Sequence, residues 1–261
     1  MRTEQKTMLV FGVLVLAGAV IALGFPKERT FARDAAIRIG AGNDISGVLM
    51  EEIAEELAGE YELHRSIDMN AFSDCCSNTA QWALNAAEIN VGFFCSHIAA
   101  YTVQKNEKVM IYAPAVMNAE IIVYPAETDW ETVCSVGLTQ GREREKNLAK
   151  EAYPQIKTFH EISQKGLLYA MEDGQVDADI LDLTYAAKLP DYAHQPLSDH
   201  DQISYMLVVD KEFAETEAFG DFLDAYNRAV QKLNDRAVLA ERLGTEAEWL
   251  SDKEIKFLEI D

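Results

Sequence analysis

Apolar and polar positions along this chain fall into two regimes. Residues 8–25 (MLVFGVLVLAGAVIALGF) form one charge-free apolar run. From Ala36 onward, short β-branched runs alternate with segments of helical period. Strands are predicted at 36–41 (AIRIGA), 61–69 (YELHRSIDM), 89–94 (INVGFF) and 108–113 (KVMIYA), then at 119–124 (AEIIVY), 134–138 (CSVGL), 177–182 (DADILD) and 204–209 (SYMLVV). Between them, 46–58 places Leu49, Ile53 and Leu57 at every fourth position, and 161–172 groups Leu167, Leu168 and Met171. The stretch 216–233 aligns Phe219, Phe222, Leu223, Tyr226, Val230 and Leu233 on one helical stripe. The chain from 212 on reads as helical, with Gly244 as a stop signal. Strand–helix alternation of this kind predicts an α/β fold with mostly parallel sheets.

An internal similarity suggests how the elements are grouped. Residues 83–94 (ALNAAEINVGFF) align without gaps on 170–181 (AMEDGQVDADIL), each describing a helix end, a tight turn and a buried strand. IRIGAG at 37–42 is echoed by CSVGLTQG at 134–141. Any α/β unit can produce such an echo, and that plain reading stands beside a second one, two similar α/β lobes. The first lobe would use 36–111 plus 203–261, and the second 118–200. Two crossovers, near 112–118 and 196–204, would then form a hinge.

Charge narrows the function classes. The 261 residues carry 23 Lys/Arg and 44 Asp/Glu, a net of −21. Phosphate backbones need basic neutralisation, so nucleic acid is excluded as a partner. Docking on anionic lipid through a polybasic face is excluded for the same reason. Arg2 and Lys6 precede the apolar run, giving the positive and apolar regions of an export signal. Ala22-Leu23-Gly24 offers a small-x-small cleavage site. The 18-residue run is also at the edge of membrane-spanning length, so 1–25 reads either as a cleaved signal or as an uncleaved anchor touching the membrane through 8–25. Both place the remainder outside the cytoplasm. Without 1–25 the net charge is −22, so the acidity belongs to the folded part and reads as solubilising. Four cysteines are too few for a disulfide scaffold of this length.

The export signal, two α/β lobes, two crossovers and helical C-terminal return resemble the extracytoplasmic solute-binding proteins of ABC transporters. INVGFF, GQVDADILD and VGLTQGRE are similar to strand-entry and helix-start motifs of the branch that includes sulfonate, taurine and thiamine-precursor binders. The resemblance covers nearly all of 36–235. It implies a type II periplasmic-binding-protein fold, a ligand held in the cleft, no catalysis, no cofactor, and an ABC transporter permease as partner. Asp74-Cys75-Cys76-Ser77-Asn78 together with Cys95 resembles the SaoB substrate-binding (seleno)protein subfamily, in which a cysteine-type position can be selenocysteine. That likeness implies a chalcogen-rich site and a small-molecule or soft-metal-containing solute. Thiamine-precursor synthases share the fold but carry a CCCFC iron motif, which DCCSN lacks.

In open α/β sheets ligands sit beyond the carboxyl ends of strands, and that rule selects candidate loops. After the first strand come Asn43, Asp44 and Ser46, where Asp44 or Ser46 would cap the next helix or meet a ligand. After the second come Asp74, Cys75, Cys76, Ser77 and Asn78, and after the third Cys95, Ser96 and His97. If the second and third strands are neighbours, Cys75, Cys76 and Cys95 open onto one wall, where thiolates would suit a soft metal and His97 could add a nitrogen. Plain burial of the thiols, or a disulfide from Cys95 to Cys75 or Cys76, are the competing readings. Cys134 opens a predicted core strand and reads as packing. On the second lobe, Thr139, Gln140 and Arg142 lead into a helix start that could hold an anionic group. Asp182 and Thr184 pair with Cys95 and His97 in the internal alignment, on the opposite wall. Tyr112 and Tyr124 flank the first crossover. His64, His160, His194 and His200 are scattered, and no GxSxG, P-loop, HExxH or EF-hand pattern is present.

Overall fold

The computed structural model describes residues 37–60, 67–71 and 78–260, with side-chain positions for 37–58 and 81–260. The apolar run 8–25, the beginning of the expected second strand at 61–66, and Asp74, Cys75, Cys76 and Ser77 lie outside the described residues. Among the described residues, no helix is long and apolar enough to cross a membrane.

The fold is α/β, with eleven strands in two mixed sheets among the described residues. The first sheet uses β1 (Ile37–Ala41), β2 (Ile67–Ala71), β3 (Val91–Cys95), β4 (Val109–Met117), β10 (Ile203–Asp210) and β11 (Lys256–Phe257), in the order β11-β4-β10-β3-β1-β2. The second uses β5 (Glu120–Tyr124), β6 (Ser135–Thr139), β7 (Thr158–Ile162), β8 (Ala178–Asp182) and β9 (Ala193–Pro196), in the order β7-β6-β8-β5-β9. The chain passes between sheets twice, from β4 to β5 and from β9 to β10.

The expectation of mostly parallel sheets is corrected. β1 pairs in parallel with β2 and β3, and β6 with β7 and β8, but β10, β4, β11, β5 and β9 all pair antiparallel. A parallel neighbour needs a helical crossover on the same sheet. β5 and β10 instead arrive directly from the other sheet and run against their neighbours. The second and third strands are also not neighbours, because β1 lies between them.

The helices are α1 (Ile45–Glu60), α2 (Asn78–Asn85), α3 (Ser96–Lys105), α4 (Glu143–Ala152), α5 (Leu167–Glu172), α6 (Leu183–Ala186), α7 (Lys211–Ala214), α8 (Glu217–Leu233) and α9 (Arg236–Leu243). Leu49, Ile53 and Leu57 of α1 are fully buried, in one cluster with Phe219, Phe222, Tyr226, Val230 and Leu233 of α8. Leu223, expected on the same stripe, is only partly buried. Full burial of such side chains contributes about 1.5–3 kcal/mol each, which is why the four-residue spacing was readable. The expected helix 161–172 is shortened, since Glu161 and Ile162 finish β7 and a 3-10 turn spans 164–166.

The internal similarity has a physical counterpart at two turns. Leaving α2, Glu88 N–H donates to Ala83 O at 2.7 Å around Ala87, whose φ is +57°. Leaving α5, Gln175 N–H donates to Ala170 O at 2.8 Å around Gly174, whose φ is +69°. Ala87 and Gly174 are aligned positions, and both ends take a left-handed residue. Asn90 Oδ1 then accepts Arg38 N–H, and Asp177 Oδ2 accepts Ser135 N–H. Each bond fixes the following strand against its parallel neighbour.

Candidate functional site

The carboxyl ends of β1, β3, β6 and β8 come together where the two sheets face each other. On the first sheet, Asp44 caps α1. Its Oδ1 accepts Ser46 N–H at 3.0 Å, Gly47 N–H at 3.1 Å and the Ser46 hydroxyl, and both side chains are buried. Of the two capping candidates, the structure selects Asp44. The turn is tight enough to require glycine at 47, where a Cβ would lie 1.9 Å from Gly42 O.

From the opposite sheet, Asp182 reaches this helix start. Its Oδ1 accepts Ile45 N–H at 3.1 Å, Thr184 N–H at 2.9 Å and the Thr184 hydroxyl at 2.7 Å. Its Oδ2 accepts the Tyr205 hydroxyl of β10 at 3.1 Å. Thr184 Oγ1 also lies 3.2 Å from Asn43 O. The end of β8 and the start of α6 thus hold the Asn43 loop, α1 and β10 on the side of the first sheet. Burial pushes the Asp182 carboxyl up to about 7, and Asp44 beside it pushes the same way.

A second tie crosses the same gap. Arg142 stands just before α4, and its Nη1 lies 2.9 Å from Cys95 Sγ, 3.3 Å from Glu145 Oε1 and 3.8 Å from Glu120 Oε1. Arg144 lies 3.6 Å from Glu145 Oε1 and 3.4 Å from Gln202 Oε1. Glu120 Oε2 accepts the Ser204 hydroxyl, and Ala119 N–H donates to Ser204 Oγ at 3.0 Å, so the two chain crossings are bonded to each other. Burial, then Glu145, raises the Glu120 carboxyl, while Arg142 pulls it down. Burial lowers His97 and Glu145 opposes it.

The sequence candidates divide accordingly. Asn43, Asp44, Cys95, Arg142, Asp182 and Thr184 converge, with Ser46 inside the α1 cap and His97 near Glu145 and Arg142. Ser96 is the half-buried first residue of α3. Thr139 turns sideways to Gln164, donating at 2.7 Å, and Gln140 is exposed. Asn78 opens α2. Cys95 is disulfide-bonded, so in this state it offers no thiolate to a metal. Among the described residues, no group of three or more His, Cys, Asp or Glu side chains is placed to hold a metal ion.

Cys134 is exposed and free, correcting the expectation that it packs in a core strand; Val133 beside it takes the buried position. Of the two tyrosines, Tyr124 is buried against Trp130, and Tyr112 stays partly exposed, edge-on to Phe219. His194 is not isolated: its Nε2 lies 2.9 Å from Asp252 and 3.0 Å from Lys253. Glu120, Glu145, Tyr205 and Ser204 escaped the sequence reading. Glu120 carried a usable signal, an acidic residue opening an otherwise apolar strand, and Glu145 follows Arg142 by the three residues that place both on one helix face.

No protein-family model and no curated protein sequence matches the chain. Solved structures do. The ligand-binding component of an ABC-type import system from Staphylococcus aureus, solved with zinc bound, superposes with a TM-score of 0.69 at 14% identity, covering 86% of each chain. The periplasmic aliphatic sulphonate binding protein SsuA from Escherichia coli gives 0.61 at 17% identity over 87% of this chain and 82% of its own. The methionine binding protein MetQ gives 0.61 at 12% identity over 88% and 100%. This chain has the fold of a solute-binding protein. At such identities the likeness concerns architecture, and the chemistry of the facing strand ends is this chain's own.

Proposed function

We propose that the protein is an extracytoplasmic receptor that closes on a small solute and delivers it to an ABC transporter permease, without catalysing a reaction on it. The two sheets, each with its helices, act as lobes, 36–111 with 203–261 and 118–200, and the crossings near 112–118 and 196–204 act as the hinge. Residues 1–25 direct export and either are removed or remain as an anchor. The observation carrying this reading is the pair of ties between facing strand ends, Asp182 to Ile45 N–H and Arg142 to Cys95. Each is a polar contact that a solute can exchange for its own, and such exchange is how ligand binding shifts an open–closed equilibrium.

The solute would be held by Asn43, Asp44, Arg142, Asp182 and Thr184, with Cys95 and His97 at the same level. The likeness to the SaoB subfamily would add Asp74, Cys75, Cys76, Ser77 and Asn78 as ligand contacts. A thiol-based metal-sequestering protein is the weaker reading, because Cys95 is already oxidised. The test is small-angle scattering and thermal unfolding of the purified protein against a solute panel. A receptor shrinks in radius and gains stability with its solute, by RT ln(1 + [L]/Kd). A protein that turns a solute over, or that responds to none, is not this receptor.

A further inference from the structure

Resting on that receptor reading, we propose that the site is built for a solute carrying a positively charged nitrogen, an ammonium or amidinium group, seated among Glu120, Glu145 and Asp182.

The first argument is charge. Four carboxylates, Asp44, Glu120, Glu145 and Asp182, each less than one-tenth exposed, gather at the facing strand ends. Two guanidinium groups, Arg142 and Arg144, accompany them, and both lean on Glu145. With every group ionised the layer carries two uncompensated negative charges. Burial disfavours the charged form of His97, and Tyr205 donates a neutral hydroxyl to Asp182, so neither is built to offset them. An anionic solute would add to this excess in a region shielded from water, where unpaired charge is costly.

The second argument is unused acceptors. Asp44 Oδ2, Glu120 Oε1 and Glu145 Oε2 are buried and make no hydrogen bond. Buried carboxylate oxygens ordinarily have partners. Glu120, Glu145 and Asp182 line a cavity of about 20 Å³ together with Arg142, Thr139 and Gln164. That space suits a single water or one ammonium headgroup. An ammonium has three donors and no acceptor, the complement of the three carboxylates in this lining, where the Arg142 guanidinium is paired with Glu145. A bare metal ion is a poorer match, because no metal-holding group of His, Cys, Asp or Glu converges among the described residues.

The linkage follows from the same groups. Burial, with Asp44 and Glu120 nearby, brings the Asp182 carboxyl up to about 7, and burial and Glu145 raise the Glu120 carboxyl as well. A cationic group favours their ionised forms and so releases protons on binding. Affinity for a cation therefore rises between pH 6 and 8, whereas affinity for an anion falls.

The test is titration calorimetry of the full chain with putrescine, agmatine, taurine and ethanesulfonate as probes. Putrescine or agmatine should bind, with proton release and with affinity that rises with pH. Glu145→Gln should weaken that binding at least tenfold. Glu120→Gln serves as the second variant should the first fail to fold by circular dichroism. Binding of ethanesulfonate with no heat from either amine overturns the cationic assignment and leaves the receptor reading standing. Amine binding that is indifferent to both substitutions and to pH overturns the assignment of the group to these carboxylates. Silence from all four probes overturns the cationic assignment alone, because the receptor reading is decided by scattering and melting against the wider solute panel.

Discussion

Asp179 is the cleanest electrostatic test of this structure. It is the second residue of β8, fully buried, and neither carboxylate oxygen has a hydrogen-bond partner. It is packed over Gly137 of β6, where a Cβ would come within 2.2 Å of Oδ1. Burial alone pushes its carboxyl from the ordinary 3.8 up to about 7. The folded pKa exceeds the unfolded one, so the favourable contribution is complete below the unfolded value and is lost as pH rises through the folded one. A difference of roughly three units corresponds to about 4 kcal/mol. Of this, about 2 kcal/mol falls between pH 5.5 and 8.5, by the same linkage. Asp179→Asn keeps the shape and removes the titration. Urea unfolding of both proteins at pH 5.5, 7 and 8.5 reads the difference. The variant should gain stability relative to the parent as pH rises, by about 2 kcal/mol over that range. Parallel curves at all three values would show that Asp179 is solvated or paired, and the reasoning would fail.

Other consequences are as direct. Ala87 occupies a left-handed conformation that costs an alanine about 1 kcal/mol, so Ala87→Gly should stabilise the protein in urea by about 0.5–1 kcal/mol, and Gly174→Ala should destabilise it by a similar amount. Tyr205→Phe strips a donor from the buried Asp182 carboxyl and should cost about 1–3 kcal/mol at pH 8, measured in the same way; no change would mean that water replaces the hydroxyl. In native protein, iodoacetamide should label Cys134, and Cys95 should become reactive only after reduction, as read by peptide mass spectrometry. Asp177 raises the Cys134 thiol, so Asp177→Asn should speed that labelling at pH 8.

The strands flanked by apolar runs were legible, because burial on both faces leaves a continuous β-branched signal. β3 and β8, buried at every position, are the clearest cases. The three strands that escaped lie at or near sheet edges. β7 is largely exposed, β9 ends in Pro196, and β11 has two residues. Half of the site followed from the rule that strand ends carry ligands, which selected Asp44, Cys95, Arg142 and Asp182. The other half did not. Tyr205 is recruited by the pairing of β10 with β3, opposite Cys95, and Glu145 by its place beside Glu120, contacts between residues 110 and 25 positions apart, which local pattern does not encode.

The equivalence of the two sheets has a consequence for how a solute would lie. Strand order β4-β10-β3-β1-β2 in one sheet is repeated as β9-β5-β8-β6-β7 in the other, with matching directions. β3 and β8 hold the same place in each, and both end on the residue that opens the next helix, Cys95 in one and Asp182 in the other. The scaffold is therefore nearly the same twice over, while its paired ends are chemically unlike, a sulfur against a carboxylate. A molecule bridging the two ends would be given a head and a tail. Directionality of that kind does not come from the architecture, which treats the ends alike. It is written in two side chains.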